Sequence, residues 1–394
     1  MGRVAFIRAA AVFFLLTSIC SAEALPAPRE VTLSAADGTK LKGTFFASHK
    51  TGPGVLLLHQ CNRQRGVWED LAKKLSASGI NVFTFDLRGF GESGGERYDK
   101  LTPQQEGQTE LQLWPGDIDA AFQYLVSQPE VTRNVIGVGG ASCGVNNAIQ
   151  AARRHSEVKS LVLLSGNTNF DGRQFLRNSP NLPVFFAVAD DDEFKPIVTA
   201  IEWLYSLSPN PGKKFVHYTN GGHGADMFAP HPELPGLIVD WFVTTLVKTP
   251  GHAPVSRELQ PIPQEVQTLD LIDQPGGPAK VMRMLVEARQ KDPKASLFRE
   301  DLVNFLGYEH AQAGDKKGAI EILKLNVAAY PNSPNTYDSL SDAYLGDGQN
   351  DLARQNAKKA LELLQSDTTD PEQLRNGIRA NAKRKLKQLG DETR

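Results

Sequence analysis

Short apolar runs alternate with longer amphipathic segments from about residue 50 onward. The runs are Gly54–His59, Asn81–Phe85, Asn134–Gly139, Val158–Leu164 and Pro183–Ala189. They are brief and almost unbroken, as strands buried on both faces must be. Between them lie helical patterns, including Val67–Ala77, Gly116–Ser127, Val145–Arg154 and Ile197–Leu207. A shorter strand, Lys214–Tyr218, and a last helix, Leu234–Val247, complete the series. Ahead of it, Val31–Ser34 and Leu41–Phe46 flank the turn dipeptide Asp37-Gly38 and predict a hairpin. Strands that alternate with helices predict an α/β fold with a doubly wound, mostly parallel sheet, here over residues 25–248.

The pattern changes after residue 248. Residues 249–278 hold Pro250, Pro254, Pro261, Pro263, Pro275 and Pro278 with little periodicity, and predict an inter-domain linker. Beyond it, over 279–394, a repeat emerges. Leu306-Gly307, Gly314 and Ala319 recur 34 residues later as Leu340-Ser341, Gly348 and Ala353. This spacing resembles the tetratricopeptide repeat, a helix–turn–helix unit, and predicts a C-terminal all-α module. Ala279–Lys291 would make a preceding half-repeat and Leu374–Leu389 a capping helix. Two repeats are fewer than the three or so that stand alone, so the module is expected to lean on the first domain. Such repeats commonly dock protein partners.

The first two dozen residues differ from the rest. Arg3 and Arg8 border the apolar run Ala9–Leu16, and small residues follow down to Ala22-Glu23-Ala24. This order predicts a cleaved signal peptide over residues 1–24, and export to the bacterial periplasm or medium. The apolar run is too short for a comfortable bilayer span, and no other stretch is apolar enough. Cleavage removes Cys20 and leaves two cysteines, Cys61 and Cys143. The net charge of −2 gives no reason to expect nucleic acid or an anionic membrane surface as a partner.

The candidate chemistry begins at Gly140-Ala141-Ser142-Cys143-Gly144, a G-x-S-x-G. Context gives this short motif its weight. It follows the apolar strand Val135–Gly139 and precedes a helical stretch from Val145. A sharp strand-to-helix turn would lift the Ser142 hydroxyl out of the sheet, and the helix N-terminus would aim free amides at a developing oxyanion. Cys143 is a poorer nucleophile candidate: an elbow centred on it needs glycines where the chain has Ala141 and Val145. Two further segments belong with the motif. Val55–Cys61 is a strand that runs through His59 and Gln60 into a loop, and Asp86–Ser93 reads D-x-R-G-x-G-x-S.

Together these segments make residues 30–248 resemble the α/β-hydrolase superfamily, where the nucleophile is followed by an acid and then a histidine. The resemblance implies Asp192 as the acid, past the turn residue Ala189 and before Pro196, with Asp191 next in line. It implies His223 as the base, in the glycine-rich loop Asn220–Gly224. The oxyanion-hole amides would be those of Gln60 or Cys61, and of Cys143. Cys61 and Cys143 then fall beside one small site, where a disulfide is expected. The Asp86–Ser93 segment is structural in the superfamily. The short connection from Gly166 to Pro183 leaves little room for a large lid and places the chain nearer the dienelactone-hydrolase-like and simple esterase branches, although dienelactone hydrolases use Cys as nucleophile. The implied activity is hydrolysis of small-molecule acyl esters through an acyl-enzyme. A peptidase or amidase of prolyl-oligopeptidase type, or a non-catalytic protein docked through its repeats, are the alternatives. No metal-ligand cluster or phosphate-cradling loop stands in the sequence, so no cofactor is expected.

Overall fold

The computed structural model describes residues 24–194, 196–255, 260–368 and 370–391. The signal peptide expected over residues 1–24 lies almost wholly outside the described residues.

Eight strands form one sheet: β1 (Arg29–Ser34), β2 (Lys40–Phe46), β3 (Gly52–Leu58), β4 (Asn81–Phe85), β5 (Val131–Ala141), β6 (Val158–Leu164), β7 (Val184–Ala189) and β8 (Lys214–Tyr218). Their spatial order is β1-β2-β4-β3-β5-β6-β7-β8. The hairpin β1–β2 and the β2–β4 pair are antiparallel, and every later pairing is parallel. The fold class is the one that the alternation predicts. β3, β4 and β7 are buried along their whole length, which is why they read as unbroken apolar runs.

The helices of this part are α1 (Glu69–Ala77), α2 (Pro103–Gln108), α3 (Trp114–Ser127), α4 (Cys143–Arg154), α5 (Phe170–Arg177), α6 (Pro196–Leu207) and α7 (Leu234–Phe242). A turn of π-helix, Thr109–Leu113, joins α2 to α3. One sheet face packs on α1 and α7 through Trp68, Leu71, Leu75 and Phe242, and the other on α3, α4 and α6 through Phe122, Ile149 and Leu204. Helix α5 occupies the connection expected to be short and plain. Asn169 caps it by accepting from the Gly172 amide at 3.0 Å.

The division of the chain needs correction at residues 249–278. This stretch contains helix α8 (Gln264–Ile272), whose Val266, Leu269 and Ile272 are buried in the main core. The prolines punctuate the segment instead of dissolving it. Pro263 stands at the N-cap of α8, and Pro278 in the first turn of α9 (Gly277–Lys291), where no intrahelical donor is lost.

Five helices follow: α10 (Glu300–Gln312), α11 (Lys316–Ala329), α12 (Pro334–Gly346), α13 (Asn350–Leu363) and α14 (Glu372–Gln388). α12 begins 34 residues after α10 (334 − 300), and α13 begins 34 after α11 (350 − 316). The C-terminal module is therefore all-α. Its Val281, Leu285, Phe298, Val303, Leu306 and Ile322 share one apolar cluster with Phe186, Ile201 and Leu204 of the sheet layer. No helix among the described residues is long and apolar enough to cross a membrane.

Candidate active site

The sheet's order changes direction between β3 and β5: from β3 the chain steps one way to β4, and then crosses over to β5 on the other side. Loops that leave the carboxyl ends of such neighbours diverge and open a crevice. The β3 loop carries Gln60 and Cys61, and the β5 turn carries Ser142 and Cys143.

Ser142 sits between the last residue of β5 and the first of α4, with φ 54° and ψ −122°. A non-glycine residue in this region is strained, and the surrounding packing holds it there. The flanking glycines are obligatory. A Cβ on Gly140 would stand 2.0 Å from the Gly144 carbonyl oxygen, and one on Gly144 would stand 2.4 Å from that of Leu58. Cys143 opens α4, so its amide has no partner within the helix.

The cysteines form a disulfide, with Cα atoms 5.9 Å apart, which ties the β3 loop to the start of α4. His59 braces that loop from behind. Its Nε2 accepts from the Leu87 amide at 2.9 Å, so Nδ1 carries the proton and donates to the Gln60 carbonyl at 2.8 Å. Burial lowers its pKa and keeps the ring neutral.

Three consecutive aspartates after β7 are sorted by their partners. Asp190 meets His217 Nε2 at 2.6 Å on the surface. Asp191 accepts from the Gly222 amide at 2.8 Å. Asp192 is fully buried and faces His223 Nδ1 at 2.8 and 3.0 Å, while Oδ1 also accepts from the Phe194 amide at 2.9 Å. His223 is buried too, with the Phe194 ring 4.7 Å from its own. Its Nε2 has no hydrogen-bond partner among the described residues, so the structure joins Asp192 to His223 but leaves Ser142 Oγ unbonded to the imidazole. The two are neighbours through their adjacent residues: a Cβ on Gly224 would lie 3.3 Å from that of Ala141.

Gln60 has a role that the sequence did not reveal. Its side-chain oxygen accepts from the Ala225 amide at 2.8 Å, and its nitrogen donates to Asn62 Oδ1 at 2.9 Å and the His223 carbonyl at 3.3 Å. The carboxamide thus fastens the histidine loop at His223 and at Ala225. Arg63 adds a bidentate pair to Asp226 of the same loop, at 3.1 and 2.8 Å. A glutamine where glycine is common was the available signal; its target lies 165 residues away.

Ser142 opens onto a cleft of about 390 Å³. Asn146, Asn167 and Asn169 form its floor side, with Ile197 beside them, and Glu110 and Leu111 come from the π-helical turn. Phe305, Glu309 and Gln312 of α10 complete it. The C-terminal module, expected to dock or to stabilise, therefore reaches the cleft itself. Glu110 receives a hydrogen bond from Tyr98, and burial raises its pKa. Burial likewise raises that of Glu309, against the pull of Arg173. No group of three or more His, Cys, Asp or Glu side chains among the described residues is placed to hold a metal ion.

Comparison with known proteins gives a family model and relatives. Residues 50–179 match the model described as serine aminopeptidase S33. An uncharacterized protein of Mycobacterium tuberculosis is 31% identical over 221 residues, which covers 50% of this chain and 73% of that protein. A thiohydrolase of Aspergillus aculeatus is 31% identical over 136 residues, 34% of this chain and 40% of its own length. The chain thus spans less than half of that relative. A solved Pyrococcus furiosus esterase superposes with a TM-score of 0.46 at 20% identity, covering 55% of this chain and 92% of the esterase.

Proposed function

We propose that this chain, which belongs to the α/β-hydrolase family, cleaves carboxylic esters or related acyl bonds through an acyl-enzyme on Ser142. The observation that carries the proposal is the buried Asp192–His223 pair, whose Nε2 has no partner among the described residues and whose loop packs, at Gly224, against Ala141 next to the strained turn that presents Ser142.

A serine hydroxyl is a poor nucleophile at neutral pH. His223 Nε2 takes its proton as Oγ attacks the carbonyl carbon, and later gives that proton to the leaving group. Asp192 fixes the tautomer with the proton on Nδ1 and stabilises the imidazolium that forms. The oxyanion is received by the Cys143 amide and by that of Gln60 or Cys61, each worth about 3 kcal/mol in the transition state. Water then attacks the acyl-enzyme by the same route. Apo histidines often sit slightly off their serine and align when substrate binds.

An aminopeptidase reading, suggested by the description of the matching model, needs a free carboxylate to hold a substrate ammonium. The two carboxylates of the cleft are already engaged, Glu110 by Tyr98 and Glu309 by Arg173. The ester reading therefore stands ahead of it.

We also propose that the chain is exported, to the bacterial periplasm or the medium. The disulfide fits an oxidising compartment and supports this. The helices of the C-terminal module, with their 34-residue offset, we read as tetratricopeptide-like; they could carry a protein partner on their outer side.

The test is labelling of the chain and of Ser142→Ala with a fluorophosphonate, beside hydrolysis of p-nitrophenyl acetate and an aminoacyl-p-nitroanilide. Labelling and ester turnover that both vanish in the variant support the proposal. Turnover of the anilide alone moves it to the aminopeptidase reading. An unlabelled, correctly folded chain makes it a binding protein.

A further inference from the structure

Exposed apolar side chains scattered singly are ordinary, but those that gather on one cleft mark a binding site. Ten remain exposed among the described residues; two of them, Leu111 at 54% exposure and Phe305 at 47%, line the cleft with Ser142, and a third, Phe194, lies against His223. Leu111 and Phe305 stand 194 positions apart in the chain, yet both line the cleft.

Helix α10, which carries Phe305, is held against the cleft by a buried ionic network. Arg173 of α5 donates to Asp273 at 2.8 Å and to Glu309 of α10. His310, next along α10, faces Asp273 at 3.2 Å, and its ring lies 4.5 Å from that of Phe170, tilted against it. Arg173, Asp273, Glu309 and His310 are all buried. A helix anchored this way is a fixed wall, and its half-exposed Phe305 lines the same cleft as Ser142.

We infer that α10 of the C-terminal module is the outer wall of the acyl-binding site, where Phe305 and Leu111 hold the apolar chain of a neutral ester whose carbonyl lies at Ser142. The inference rests on the proposed acyl-enzyme chemistry and adds the substrate class and the module's part in selecting it. The charge of the lining agrees: among the described residues it holds Glu110 and Glu309 and no Lys, Arg or His, and these carboxylates disfavour a substrate carboxylate. Burying an apolar chain between two exposed apolar side chains removes all three from water.

Specificity constants for p-nitrophenyl acetate, octanoate and hemisuccinate on the full chain test this, with Phe305→Ala, Leu111→Ala and Phe305→Trp. The octanoate-to-acetate ratio is expected to exceed ten in the wild type. It is expected to fall about tenfold in each alanine variant, with melting temperatures close to wild type. Phe305→Trp, which narrows the cleft, should shift the preference to shorter chains. The hemisuccinate should be the poorest substrate. A wild type that takes fluorophosphonate on Ser142 but whose chain-length ratio is unmoved by all three variants, or that prefers the hemisuccinate, overturns this inference alone. A wild type that neither labels nor turns over any ester overturns the acyl-enzyme reading, and this inference with it.

Discussion

The guanidinium of Arg173 and the carboxylate of Asp273 meet at 2.8 Å, and neither side chain reaches solvent. Arg173 belongs to the helix after β6, while Asp273 closes the helix hidden in the proline-rich stretch. Arg177 adds a second ion pair to Asp273 at 2.6 Å, and the Arg173 guanidinium lies 4.7 Å over the Trp203 ring. A buried charge must be answered, so the sheet layer and the C-terminal helices are bound to one arrangement.

Asp273→Ala should therefore cost about 3–5 kcal/mol, because it leaves Arg173 with Glu309 alone inside the core. Urea denaturation of the full chain measures it. A loss under about 1 kcal/mol would show that water reaches the network.

The same group should shape acid unfolding. Burial by itself would raise the Asp273 carboxyl, but the Arg173 charge and hydrogen bonds from His310 and Arg173 outweigh it and lower its pKa from 3.8 to about 2. A carboxyl depressed in the folded state stabilises above its unfolded pKa, and that stability drains as pH falls from about 4 toward 2. Glu309, whose pKa is raised, works with the opposite sign and returns part of the loss. Melting temperatures followed over this range should drop more steeply for the wild type than for Asp273→Asn. Parallel curves would refute the assignment.

The disulfide closes a loop of 82 residues. Reduction, or Cys61→Ser with Cys143→Ser, should lower stability by about 4 kcal/mol and depress ester turnover, since the bridge ties together the two segments whose amides are proposed to receive the oxyanion. Melting with and without reductant is the check. Curves that coincide, in protein shown to be bridged at the start, contradict the expectation.

Gln60 should act through His223. Gln60→Ala removes the bonds to Ala225 and to the His223 carbonyl, and kcat should fall about 10- to 100-fold with KM little changed. Gln60→Glu can still accept from the Ala225 amide but cannot donate, and should fall in between. A change in KM alone would place Gln60 in substrate contact instead.

The extent to which the sequence was legible varies along the chain. The strands and the G-x-S-x-G turn were readable because each depends on neighbours a few residues away. Three aspartates in a row could be ranked only through a family layout; their separate partners, His217, Gly222 and His223, come from β8 and the loop after it. Helix α8 was hidden because prolines at both ends of a short apolar pattern look the same whether they break a chain or cap a helix.

The sequence by itself determined the α/β alternation and the G-x-S-x-G turn at Ser142, since periodicity and turn chemistry are local; an acid and a base downstream were implied only by the family resemblance. Only the tertiary structure decided which loops meet at the switch between β3 and β5, that Gln60 holds the His223 loop, and that Phe305 looks into the cleft of Ser142. Those contacts join residues from 82 to 163 positions apart, and burial and the pairing of charges exist only once the chain has closed on itself.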